Sequence, residues 1–229
     1  MKFIKRHYKK IVLILICIFV YLIYNSNNEK NITYISLGDG YAMGLNPYNK
    51  KTYGYSDYLK NYLEKENKLY KYYNSYSYSD MMIRDLYKDI RIDDNNIPIK
   101  QALRNSNILT ISIGINDLIY LINKNRNKNT ENIKLIRHDF NILIKEINKY
   151  YKGKIYLVGY YNNYKDEKLK KGLDDLNELY KKYSKEKNIT YIEINNNLGK
   201  YYENPNSNYP NTLGYEQIYK KILSKIKLN

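Results

Sequence analysis

Three short glycine turns carry the residues with chemistry to offer. Residues 36–44 read Ser-Leu-Gly-Asp-Gly-Tyr-Ala-Met-Gly, residues 112–117 read Ser-Ile-Gly-Ile-Asn-Asp, and residues 206–215 read Asn-Ser-Asn-Tyr-Pro-Asn-Thr-Leu-Gly-Tyr. Asp39 and Asp117 are carboxylates able to activate water as general bases or, in a structural role, to accept hydrogen bonds from loop amides. The side-chain amide of Asn116 could donate to a developing oxyanion, or cap a helix. Gly38, Gly40 and Gly114 could present backbone amides, or simply let the chain turn. A histidine is missing from all three turns. The two histidines, His7 and His138, lie elsewhere, and no Ser-Lys pair, metal-ligand cluster or phosphate-binding loop accompanies the turns. His138 falls in the middle of a helical pattern, off its apolar face. Nothing in the pattern calls for a metal or a cofactor.

The elements that must position these turns alternate regularly. β-rich runs are expected over residues 32–37, 69–73, 107–113, 154–158 and 189–194, the third being β-branched almost throughout. Helical spacing is expected over 55–65, 81–90, 98–104, 132–150, 166–187 and 212–226. In the 132–150 segment Ile133, Ile136, Phe140, Leu143 and Ile147 share one face. No hairpin signal separates successive strands, and parallel strands need helical crossovers. The expected fold is therefore α/β: a three-layer α/β/α sandwich, flavodoxin-like, on a five-stranded parallel sheet. In such sheets ligands bind at the carboxyl ends of the strands. That edge should gather Asp39, Gly40, Gly114, Asn116, Asp117 and the loop Tyr160-Tyr161-Asn162-Asn163, with Tyr41 and Tyr209 beside them.

The three turns, in this order, resemble the conserved blocks of SGNH/GDSL hydrolases. The first is similar to the family's Gly-Asp-Ser block, the second to its Gly-x-Asn-Asp block, and the third to its Asp-x-x-His-Pro-Asn block followed by Gly-Tyr and a helix. The resemblance implies hydrolysis of acyl or acetyl esters by a serine nucleophile, a histidine base and an orienting acid. Each of those positions is altered. The serine position is Gly40, the histidine position is Tyr209, and the acid position is Asn206, or Ser207 if the acid stands two residues before the base. A phenol of pKa ~10 is a poor base near neutrality. Only Asn116 is carried over as an oxyanion donor, and the stretch expected to hold the second block, residues 74–86, has no glycine. The resemblance thus implies a catalytically silent relative that keeps a cleft for a glycan or an acylated envelope component. An active esterase or deacetylase with a non-standard arrangement remains the alternative.

Composition bounds the rest. The chain has 229 residues, room for one domain over residues 28–229 with a full core. It has a net charge of +16, 31 tyrosines, no tryptophan and one cysteine. Cys17 stands alone, so there is no disulfide framework. Lys2, Lys5, Arg6, Lys9 and Lys10 form a basic flank ahead of an apolar run over residues 11–24. Residues 1–27 are accordingly expected to be a signal-anchor helix that leaves the domain outside a cell membrane, single-pass. A cleaved signal that leaves a secreted domain is the alternative. The remaining positive charge is spread along the chain and not gathered into a stripe, which argues against a nucleic-acid groove.

Overall fold

The computed structural model describes residues 2–27, 31–92, 99–124, 127–185, 188–194, 196–204 and 207–228. Its elements, in chain order, are α1 (Lys2–Asn27), β1 (Ile32–Gly38), α2 (Gly40–Met43), α3 (Tyr55–Lys65), β2 (Leu69–Ser77), α4 (Ile83–Arg91) and α5 (Ile99–Asn105). They continue with β3 (Ile108–Ser112), α6 (Ile115–Lys124), α7 (Asn129–Tyr150), β4 (Ile155–Val158), α8 (Glu167–Tyr183), β5 (Ile189–Ile192) and α9 (Thr212–Leu223). A 3-10 turn, Asn196–Tyr201, precedes the last helix.

The strands form one parallel sheet in the order β2-β1-β3-β4-β5. β1, β3 and β4 are buried along their whole length, which is why they read as continuous β-branched and leucine runs with no polar alternation. α3 packs on α9, while α4, α6, α7 and α8 pack among themselves, and the two groups form the outer layers. The chain winds from β1 outward to β2, then crosses back to β3 on the other side. The carboxyl ends of β1 and β3 therefore flank the switch point where such sheets open a crevice.

Several boundaries differ from the sequence expectation. β2 runs four residues further, to Ser77, on an edge where most residues are exposed or half-buried and so give no hydrophobic run. α2 and α6 are helices where the sequence shows no helical spacing of its own, only the glycine turns that precede both. Asn116 is consequently not a cap but lies inside the first turn of α6.

Residues 2–27 do form a helix, but among the described residues no helix is long and apolar enough to cross a membrane. The expected membrane-spanning helix is not supported. At 1.5 Å per residue, the apolar run over 11–24 would rise only ~21 Å against a hydrocarbon core of ~30 Å. Its side chains from Ile11 to Tyr21 are exposed.

Candidate functional site

β1 ends at Gly38 with φ of +126°. A Cβ there would lie 1.7 Å from the Ser112 carbonyl oxygen, so only glycine permits β1 and β3 to end this close together. Asp39 follows and caps α2, its Oδ1 accepting from the Tyr41 amide at 3.0 Å and from the Ser112 hydroxyl at 3.1 Å. The Tyr160 hydroxyl donates to the other oxygen, Oδ2. Asp39 is fully buried. Burial pushes its pKa up to about 7, against the lowering effect of hydrogen bonds from Tyr160, Tyr41 and Ser112.

Gly40, which the resemblance sets at the nucleophile position, is not an open gap. A Cβ built on it would lie 2.2 Å from the Tyr209 hydroxyl oxygen and 2.5 Å from the ring carbon that bears it. Tyr209, at the base position, therefore occupies the space a serine side chain would need instead of standing across from one. Its own ring is 8% exposed, and burial holds its phenol well above the ordinary range, so it stays neutral and is no base. Asn206, at the acid position, lies outside the described residues. Ser207, the alternative acid position, accepts from the Tyr209 amide at 3.1 Å through its hydroxyl oxygen.

Asn116 donates to two backbone carbonyls, those of Ser79 and Met81, each at 3.0 Å. Both hydrogens of its amide group can be engaged in this way, which pins the β2–α4 loop and leaves no donor directed at an oxyanion. Asp117 accepts from the Ile83 amide, 3.1 Å to Oδ2, and so holds the start of α4. Burial raises its pKa to about 6. Gly114, with φ of +112°, accommodates the Tyr180 hydroxyl, which donates to the Ile113 carbonyl and sits 2.1 Å from where a Cβ would be. In the last block, Asn211 caps α9 by accepting from the Gly214 amide at 3.0 Å, so the Asn-x-x-Gly spacing has a helix-capping role. Asn116→Ala should lower stability by about 1–3 kcal/mol, because it removes two hydrogen bonds and leaves the part-buried carbonyl, that of Met81, short of a donor. Denaturant melts of the parent and variant would read this. An unchanged midpoint would mean the loop is held by other contacts.

The expected cleft residues are packed together, not spread around a cavity. Tyr41 and Tyr160 are fully buried, their rings edge-to-face at 5.0 Å, and Tyr209 leans on Tyr41 at 5.7 Å. The Tyr41 hydroxyl lies 3.0 Å from that of Tyr202 and donates to the Asn208 carbonyl at 2.5 Å. Tyr161 packs on Tyr202 at 4.2 Å, and Asn163 donates to the Asn204 carbonyl at 3.2 Å. The sequence places these tyrosines at the carboxyl edge as cleft residues, and does not by itself show that they pack on one another. A sharper signal was present: Gly40-Tyr41, Gly54-Tyr55, Gly159-Tyr160 and Gly214-Tyr215 are all Gly-Tyr pairs, and each of these tyrosines is 0% exposed. A glycine beside a buried ring repeatedly marks a close approach. His138 is exposed on α7, remote in role from the edge.

A buried serine hydroxyl does stand against a carboxylate here, Ser112 on Asp39 at 3.1 Å. Both groups are fully buried, so no substrate carbonyl reaches them in this packing. Among the described residues no cluster of three or more His, Cys, Asp or Glu could hold a metal ion.

No family model and no curated protein matches the sequence. Solved structures do match. The lipase Lip_vut3 from a goat rumen metagenome superposes with a TM-score of 0.65 at 16% identity, over 84% of this chain and 96% of that one. Axe2, an acetylxylan esterase from Geobacillus stearothermophilus, gives 0.64 at 16% identity over 89% and 97%. LAE5, an alpha/beta hydrolase enzyme from the metagenome of Lake Arreo, Spain, gives 0.62 at 16% identity over 86% and 95%. At such identities the likeness is one of fold.

Proposed function

We propose that this chain, which has the fold of SGNH/GDSL-type ester hydrolases, is a catalytically silent form of that architecture and works by recognition rather than turnover. The single observation that carries the reading is the Tyr209 phenol lying in the space of the absent nucleophile. Neutral at any physiological pH, it supplies neither attack nor proton transfer, and it shields the Gly40 amide from a substrate carbonyl. The same reading keeps the domain at a membrane. The exposed apolar side chains of α1 from Ile11 to Tyr21, behind exposed Lys9 and Lys10, would hold it at the membrane surface as an interfacial helix. Co-sedimentation of the full chain with phospholipid vesicles tests that tether, and a chain left wholly in the supernatant would rule it out.

The test of silence is p-nitrophenyl acetate hydrolysis by the full chain, alongside labelling with a fluorophosphonate probe. Turnover at the buffer rate and no labelled serine are expected. The competing reading is an esterase that uses Ser112 with Asp39 as its base, favoured by their 3.1 Å hydrogen bond. It requires the tyrosine packing to open. Turnover that disappears in Ser112→Ala would establish it and sink the silent reading.

A further inference from the structure

A second concave site lies away from Gly40, where α4, α6 and α7 meet. It encloses about 280 Å³ and shares no lining residue with the Tyr209 plug. Met82, Leu121 and Leu135 make its apolar walls, and the Tyr120 ring, 51% exposed with the Lys124 ammonium 5.9 Å from its centroid, gives it an aromatic surface. Its polar groups are few and fixed. Arg84 holds Asp139 through two parallel bonds, Nε to Oδ2 at 2.7 Å and Nη2 to Oδ1 at 3.1 Å. The Arg84 side chain is nonetheless 68% exposed, so the rest of its guanidinium edge faces outward. Asp117 completes the wall, held by the Ile83 amide.

The chemistry of this groove selects a ligand class. Its cations, Arg84 and Lys124, are matched by its anions, Asp117 and Asp139, so it offers no net charge to an ion. It instead sets donors and acceptors side by side on a two-bonded planar pair, next to an exposed ring and aliphatic walls. Adjacent hydroxyls both donate and accept, and the C–H face of a sugar ring is apolar. The groove fits both. Its volume is close to the ~300 Å³ lower bound of small-molecule pockets, the scale of a sugar ring rather than a large ligand. We propose that the α4–α6–α7 groove is a binding site for a neutral saccharide, stacked on Tyr120 and hydrogen-bonded by the Arg84–Asp139 pair and Asp117. This rests on the recognition reading above and gives it a site other than the plugged edge.

The experiment is a titration of the full chain with xylotriose, cellotriose and chitotriose, followed by saturation-transfer NMR. Galacturonate serves as the charged comparison. At least one neutral sugar should bind with a Kd on the order of 1 mM. Tyr120→Ala and Arg84→Lys should each weaken it about tenfold or more, with thermal midpoints near the parent value. Arg84→Lys keeps the charge but loses the planar fork. Binding of none of the three sugars, binding indifferent to both variants, or tighter binding of galacturonate would each overturn the proposal. Ester turnover measured on the same samples reports separately on catalytic silence, so either idea can fail alone.

Discussion

Gly40→Ser made alone should yield a less stable protein that still hydrolyses no ester, whereas Gly40→Ser with Tyr209→His and Asn206→Asp should gain turnover. The single variant fails twice for one reason. Its Cβ must enter the 2.2 Å space already filled by the Tyr209 hydroxyl, and the ring is boxed in by Tyr41, so relief requires displacing packed side chains. Overpacking of this kind costs about 1–3 kcal/mol, and the new hydroxyl would face a neutral phenol with no capacity to accept its proton. Replacing Tyr209 by histidine removes the phenolic oxygen that causes the clash and supplies a base of ordinary pKa ~6.5. Loss of a nucleophile or base costs one well-studied triad about 10⁶ in kcat. Regain should fall well short of that, because Asn116 is tied to Ser79 and Met81 and cannot swing freely to an oxyanion. A gain in kcat/KM of about 10²–10³ over the parent with p-nitrophenyl acetate is expected, carried by the backbone amide at position 40. Gly40→Ser with Tyr209→Phe separates the two effects: it should recover part of the stability and none of the rate. If Gly40→Ser alone melts like the parent, Tyr209 does not cover that position. A well-folded but inert triple variant would mean that the edge no longer has the geometry of an acyl-transfer site.

The architecture was legible because its signals are local and redundant. A run such as Ile108–Ser112, buried on both faces, has to be β-branched or leucine-rich, and glycine has to follow where β1 meets Ser112. That residue 40 is glycine, where the resemblance calls for serine, was equally legible, since residue identity alone decides it. What the sequence could not disclose is where a side chain of the right type points. Asn116 has the residue type of an oxyanion donor, yet its donors face Ser79 and Met81, a choice made by the β2–α4 loop over thirty residues away in sequence. Tyr209 could be assigned to the base position but not seen to enter the vacancy left by Gly40, because that contact joins opposite ends of the domain. The Tyr120 groove was invisible for a related reason. Its walls come from three helices, one of which, α6, hides behind a glycine turn.

The buried carboxyl of Asp39 should make the domain more stable in mild acid than above neutrality. The sign follows from which state keeps the proton. In the unfolded chain Asp39 releases it near its model value of 3.8, whereas in the fold it is retained up to about 7. Between those values the native state binds more protons than the unfolded state, so unfolding free energy falls as pH rises, and the loss is complete once pH passes the folded pKa. A shift of ~3 units at 1.36 kcal/mol each corresponds to about 4 kcal/mol. Asp117, raised to about 6 by burial, pushes in the same direction over a narrower window. The large positive charge works the other way, because acid adds to self-repulsion, so a net loss of about 2–4 kcal/mol between pH 5 and pH 8 is expected. For a domain of this size that is roughly 4–16 °C in the melting midpoint. Asp39→Asn isolates the cause. Its carbonyl oxygen can still accept from the Tyr41 amide and the Ser112 hydroxyl, while its NH₂ can donate to the Tyr160 oxygen as a protonated carboxyl would. The variant should therefore match the parent at pH 5, exceed it at pH 8, and lose most of the slope. Melts of both proteins at half-unit pH steps decide the matter. A parent whose stability is flat from pH 5 to 8, or a variant that keeps the parent's slope, would place the proton somewhere other than between Tyr160 and Asp39.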